Sequence, residues 1–231
     1  MLKNKITDIF FDLDHTLWDF ETNSKLAFEK LLKKHDIPVS IDEYIAVYEP
    51  INHKYWQDYA KGLKTKNEVK YDRLTDTFNA LGVKVPESLI KILAEDYLDF
   101  LKKENTLMEG AVEILDYLKD KYRLHILTNG FTEVQTEKMQ NSGIAHYFEH
   151  LITSEETGKL KPHPEVFKHA LQKAGTFPHK SYMIGDNFQS DVLGARNVGM
   201  HAIHYDPLEQ NDVEAHIIPK VKRLVDIREI L

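Results

Sequence analysis

An apolar, aromatic-rich run over residues 6–11 ends abruptly in two carboxylates spaced two apart, Asp12 and Asp14, followed by the hydroxyl of Thr16. The run has the branched and aromatic content of a buried strand. On extended backbone, residues two apart face the same side, so Asp12 and Asp14 converge while Leu13 faces away. Carboxylates that close repel each other. A cation relieves the repulsion, and hard oxygen donors suit Mg²⁺. A polar strand end leading into a turn has the same appearance, so the remainder of the chain decides between the two.

The chain has 231 residues, enough for one large domain or two unequal ones. With 42% hydrophobic and 29% charged residues, it has the composition of a soluble globular protein with a real core. A formal net charge of −7 argues against a nucleic-acid polymer as partner but permits a small phosphorylated ligand at a locally positive site. Cysteine is absent, which excludes disulfides, thiolate zinc sites and cysteine nucleophiles. Residues 1–5 lack the apolar core of a signal peptide, and no run is long enough to span a bilayer. A cytoplasmic protein without a membrane partner is expected. The oligomeric state, monomer or weak dimer, is left open.

From Thr22 to Lys103 the pattern is helical. Phe28, Leu31 and Leu32 mark a helix over residues 23–35, ended by Pro38. Ser40 to Glu43 and Thr65 to Glu68 each match a capping box. The second opens a helix to Leu81, stopped by Gly82, and Pro86 fits the first turn of another. Pro50 is expected to kink or break the piece between. Tyr44, Tyr48, Tyr55, Trp56 and Tyr59 read mainly as core packing, with Tyr55 or Trp56 as candidates to face a substrate.

From Met108 strands and helices alternate. Helices are expected over 110–121 (Val112, Leu115 and Leu118 inward), 132–141 (opened by Thr132 to Gln135), 164–174, 191–198 and 224–231. Strands are expected over 124–128, 151–153, 182–185 and 201–204. Alternation of this kind predicts an α/β fold with a parallel sheet, in which ligands bind beyond the carboxyl ends of the strands. The helical block then reads as a lid inserted after the first strand.

The chemistry-bearing residues fall at those strand ends. The first strand ends in Asp12 and Asp14, the second in Thr128 and Asn129, and a later one in Gly185, Asp186 and Asn187, with Asp191 beyond. Lys161 lies in a proline-stiffened loop. A hydroxyl and a lysine to hold phosphate oxygens, acids to hold a metal and one carboxylate free to attack suggest phosphoryl transfer. Asp191 also reads as a plain helix-start carboxylate. His146 and His150 stand four apart but lack a third ligand. His201 and His204 read as packing or surface. Trp18 and Phe20 stack on a base or pack beneath the lid.

The set Asp12-x-Asp14-x-Thr16, Thr128, Lys161 and Gly185-Asp186-x-x-x-x-Asp191 resembles the four motifs of the haloacid dehalogenase superfamily of phosphatases. Residues 128–132, 154–158 and 55–59 resemble its branch of pyrimidine-preferring nucleoside 5'-monophosphatases. The resemblance implies a three-layer, Rossmann-like catalytic core of residues 1–17 and 104–231 and a helical cap of residues 18–103. It also implies a Mg²⁺-dependent hydrolase with Asp12 as nucleophile, Asp14 as acid and base, and Lys161 neutralising charge on nucleophile and phosphate. Asp12, the Asp14 carbonyl and Asp186 would hold the metal. Thr128 and Asn129 would bind phosphate, with Thr16 fixing the loop and joining them, and Asp191 and Asn187 in support. The competing readings are a phosphatase of another small phosphate, such as a sugar phosphate or phosphoglycolate, a sugar phosphomutase, and a non-catalytic binding module on the same fold.

Overall fold

In the computed structural model, which describes residues 5–209 and 218–231, the four residues of β1 (Asp8–Phe11) are all buried. A strand buried on both faces belongs to a parallel sheet covered by helices, as opposed to one with a wet face. β1 lies between β2 (Arg123–Thr128) and β4 (Ser181–Gly185), with β3 (His150–Thr153), β5 (His201–Tyr205) and β6 (Lys220–Val221) outside them. The sheet order is β3-β2-β1-β4-β5-β6 and every pairing is parallel. The chain steps outward from β1 through β2 to β3, then crosses back to β4. The order therefore reverses at β1, and the crevice beyond the carboxyl ends there is where such a sheet takes a ligand.

The helices are α1 (Phe20–Lys34), α2 (Ile41–Ala60), α3 (Arg73–Ala80), α4 (Glu87–Leu101), α5 (Ala111–Leu118), α6 (Thr132–Asn141), α7 (Pro164–Lys173) and the short α8 (Gly194–Asn197). The chain divides into two compact units, residues 1–20 with 105–231 and residues 21–104. The first holds the sheet. Phe10, Leu127, Ile152, Phe167, Met183 and Val192 build one side of its core. At the amino end of the sheet, Asp8 is buried yet held below its usual pKa. Burial pushes it up, but hydrogen bonds from Thr176, Thr7, His125 and Arg123 outweigh that.

The second unit is helical and has an aromatic centre. Phe28 stacks on Tyr97 at 4.0 Å and meets Tyr48 edge-on at 4.4 Å, with Tyr44 at 4.6 Å. Tyr55 is buried and donates to Asp76 at 2.7 Å, so it serves packing, while Trp56 is half-buried beside Tyr59. Both capping boxes form: Ser40 with Glu43, and Thr65 with Glu68.

Several local expectations fail for physical reasons. Pro50 does not break α2, because the buried Tyr44, Tyr48 and Tyr55 hold the helix on either side of it. Val112 is 45% exposed, and α5 instead buries Ala111, Ile114, Leu115 and Leu118. The helix beyond Asp186 begins as a wide turn, Phe188–Leu193, before α8, and the tail is a tight 3-10 helix, Leu224–Glu229. Phe131, and not Thr132, precedes α6; Thr132 donates its N–H and hydroxyl to Glu155 at 2.9 and 3.0 Å. Strand β6, only two residues long, carries too little pattern to be read from sequence. Among the described residues, no helix is long and apolar enough to cross a membrane.

Candidate active site

Register fixes the geometry. Phe11 sits level with Ile126 on β2 and Ile184 on β4, so the residues just beyond them, Asp12, Thr128 and Asp186, emerge together at the carboxyl edge. The backbone N–H of Asp12 donates to Ile184 at 2.9 Å, carrying the sheet one residue further on that side.

Lys161 reaches this edge from its loop and is almost fully buried, at 1% exposure. Its ammonium donates to Asp12 Oδ1 at 2.8 Å and to the Leu127 carbonyl at 2.7 Å, and it forms an ion pair with Asp191 Oδ1 at 2.7 Å. Lys161 thus sits against Asp12 at the carboxyl edge, where its charge offsets that carboxylate. The Lys161 backbone is fixed by Asn129, whose Oδ1 accepts from its N–H at 2.8 Å and whose Nδ2 donates to its carbonyl at 3.2 Å. Ser154 donates to the same Asn129 oxygen.

Asp191 pairs with Lys161, and its Oδ2 accepts the Asn187 N–H at 3.1 Å. It is not merely a helix-start acid. Asn187 caps that turn, accepting from Ser190 N–H at 2.9 Å. The approach of Asp191 requires a glycine at 185, because a Cβ there would lie 2.3 Å from Asp191 Oδ2. Gly185→Ala should therefore displace Asp191 and leave Lys161 one partner short. We expect a loss of about 1–3 kcal/mol, read as a lowered Tm, and impaired turnover on any substrate of the site.

Thr16 is fully buried, and its hydroxyl both donates to Asp186 Oδ1 at 2.9 Å and accepts from the Asp186 N–H at 3.0 Å. It anchors that carboxylate; this geometry does not direct it to a phosphate. His204 is buried rather than a surface residue, and its Nε2–H donates to the Asp186 carbonyl at 2.9 Å.

The Asp14 side chain points to two residues that the sequence reading did not single out. Lys138 Nζ lies 2.6 Å from Asp14 Oδ1 and Gln135 Nε2 lies 2.9 Å from Oδ2. Both side chains come from one face of α6 and are buried. Lys138 also lies 4.1 Å from the Trp18 ring centroid, and Trp18 itself has no exposed surface, so this ring packs against a cation and does not offer a face to a base. The signal was present: a glutamine and a lysine three apart stand on the same face as Val134 and Met139.

Three carboxylates, Asp191 fully buried and Asp12 and Asp186 partly so, face one ammonium. Burial pushes Asp12 up to about 7, opposed by Lys161 and reinforced by the charges of Asp191 and Asp14. Burial and the neighbouring Asp12 charge likewise push Asp186 up to about 7. Burial raises Asp191 too, against the pull of Lys161. Lys161 is raised: burial alone would lower it, but Asp12 and Asp191 outweigh that. Oxygens of Asp12, Asp186 and Asp191 lie within 4.8 Å of one another. Asp191 forms its ion pair with Lys161 and accepts the Asn187 N–H, whereas Asp12 and Asp186 each keep one oxygen without a described protein partner. Hard, unpartnered oxygens with surplus negative charge are the donor set that fits Mg²⁺. A second cluster, His125, Glu149 and His150, fits an ion poorly. The two imidazoles stack at 5.3 Å with only 13° between their planes, so a single ion cannot lie in both. His146 instead packs on Tyr147 at 4.1 Å.

The parallel sheet and the acid–lysine cluster at its carboxyl edge define a Rossmann-like α/β protein with a carboxylate-rich site. The family model of haloacid dehalogenase-like hydrolases matches residues 8–199, and the chain belongs to that family. It is 32% identical over 226 residues to the pyrimidine 5'-nucleotidase PynA of Streptococcus pneumoniae, covering 96% of this chain and 94% of that one. It is 30% identical to the glyceraldehyde 3-phosphate phosphatase of Methanothermobacter thermautotrophicus, covering 95% and 98%. Among solved structures, the magnesium-bound HAD-hydrolase YfnB of Bacillus subtilis superposes with a TM-score of 0.88 at 28% identity, over 98% of this chain and 99% of that one.

Proposed function

We propose that the chain is a Mg²⁺-dependent phosphatase that hydrolyses a nucleoside 5'-monophosphate, pyrimidine preferred, by way of a phosphoryl group carried on Asp12. The observation that carries this reading is the partly buried Asp12 at the end of the central strand, held by Lys161 at 2.8 Å with Asp186 beside it. The 32% identity to PynA supports the substrate class.

A carboxylate oxygen of Asp12 attacks phosphorus, the bond from phosphorus to the ester oxygen breaks, and that oxygen takes a proton from Asp14. Water then attacks phosphorus and gives its proton to Asp14. The bond from Asp12 to phosphorus breaks, releasing inorganic phosphate and restoring both carboxyl groups. The hydroxyl of Thr128 and the N–H of Asn129 hold phosphoryl oxygens. Lys161 keeps Asp12 oriented and offsets its charge. Asp12, Asp186 and the Asp14 carbonyl would hold Mg²⁺, which when bound offsets charge between nucleophile and phosphate.

The resemblance to the glyceraldehyde 3-phosphate phosphatase keeps a second reading, a small phosphosugar substrate. Phosphate release from UMP, dUMP, dTMP and glyceraldehyde 3-phosphate, with Mg²⁺ and with chelator, separates the two. Preference for the nucleotides supports the proposal. Preference for the phosphosugar keeps the chemistry and overturns the substrate. No release from any of them overturns the phosphatase reading.

Metal and protons compete for the same oxygens. Asp12 and Asp186 are pushed up to about 7 without metal, so below that pH the folded protein holds protons that Mg²⁺ must displace. The rise in Tm on adding Mg²⁺ should be small at pH 5.5 and larger at pH 8. Comparing melting curves with and without Mg²⁺ at each pH cancels the contributions of other titrating groups.

A further inference from the structure

Gln135 is nearly fully buried, with 1% exposure, and its amide bridges two residues of the site. Its Nε2 lies 2.9 Å from Asp14 Oδ2 and 2.8 Å from Thr128 Oγ1. Lys138 pairs with the same Asp14 carboxylate at 2.6 Å, which makes that group an acceptor and sets the NH₂ of Gln135, not its carbonyl, against it. The same NH₂ must then donate to Thr128. The Gly130 N–H also donates to Thr128 Oγ1, at 3.1 Å. A hydroxyl has two lone pairs and one proton. Both lone pairs of Thr128 are engaged, and no described residue accepts its proton.

We infer that Gln135 is a positioning residue that makes the Thr128 hydroxyl an obligate donor toward a bound phosphoryl group. Two further observations support a built arrangement. A Cβ at Gly130 would lie 2.4 Å from Gln135 Nε2, so the glycine leaves the room the amide occupies. The Gln135 carbonyl oxygen is buried without a hydrogen-bond partner, so the amide is held in this orientation by what its NH₂ does. The same bridge ties Thr128 to Asp14, linking the group that holds phosphate to the group that moves the proton.

The inference rests on the phosphatase reading, and its test separates the two. The probe is inorganic phosphate as a competitive inhibitor in the presence of Mg²⁺, measured alongside kcat/KM. Gln135→Leu and Thr128→Val should each weaken phosphate inhibition roughly tenfold, the scale of one hydrogen bond to a charged group. The double variant should be no weaker than Thr128→Val alone, because Gln135 acts on phosphate through that hydroxyl. Gln135→Glu keeps the shape, removes the donor and should reproduce the loss, which guards against a packing defect in Gln135→Leu. Thr128→Ser should retain phosphate affinity. Multiplicative losses in the double variant, or unchanged inhibition in Gln135→Glu, overturn the positioning role. A wild-type protein that releases no phosphate from any of the nucleotides or from glyceraldehyde 3-phosphate overturns the phosphatase reading itself.

Discussion

Asp12→Asn is expected to lower phosphate release at least about 10⁴-fold while the protein stays folded. The amide matches the carboxylate in shape but offers no anionic oxygen to attack phosphorus. Stability argues the other way. Asp12 is pushed up to about 7 because burial and its acidic neighbours disfavour its charge. Removing that charge relieves repulsion with Asp186 and Asp191, and Lys161 keeps Asp191 and the Leu127 carbonyl as partners. The Tm without metal should therefore be unchanged or higher, and the rise in Tm on adding Mg²⁺ should largely vanish. Melting curves and a phosphate-release assay on the same preparation check both halves. An inactive variant that has also lost its fold would say nothing about the nucleophile, which is why the two are read together.

Lys161→Met has the largest expected effect on stability. Methionine fills the channel without a charge, leaving the partly buried Asp12 and the buried Asp191 facing each other. Removing one partner from a buried ion pair typically costs about 3–5 kcal/mol. For a chain of this size, that corresponds to a fall in Tm of about 10 °C. The loss should be greatest above pH 7, where the uncompensated pair of carboxylates must ionise, and should lessen as pH falls and they take up protons. Adding Asp191→Asn to Lys161→Met should recover part of the Tm, because it removes one of the two uncompensated charges. Turnover should fall by at least about 10²-fold in both, since Asp12 loses its orienting partner. A double variant less stable than Lys161→Met would mean that the cluster is held by packing and not by charge balance.

The residues brought together at the carboxyl edge were mostly visible in the sequence because they sit where periodic patterns stop. Asp12, Thr128 and Asp186 each follow an apolar run, and a strand end fixes direction without further information. Gln135, Lys138 and His204 sit inside elements, where which way a side chain points depends on phase. On α6 only Val134 and Met139 carry an apolar signal, so the polar residues sharing their face pass as solvent-facing. Thr132 to Gln135 fits a helix-start pattern, but Glu155 took the Thr132 N–H from outside the segment. Long-range partners of that kind have no local signature. Thr16 was visible as a site residue, yet the choice of Asp186 as its partner, 170 positions away, needed the fold.

Acid-quenched samples of the enzyme turning over UMP with Mg²⁺, digested and mapped by mass spectrometry, test the central claim most directly. A phosphoryl group on the peptide carrying Asp12, absent from the Asp12→Asn protein, is the result this account predicts. Steady phosphate release with no phosphorylated peptide, undiminished in Asp12→Asn, would contradict it.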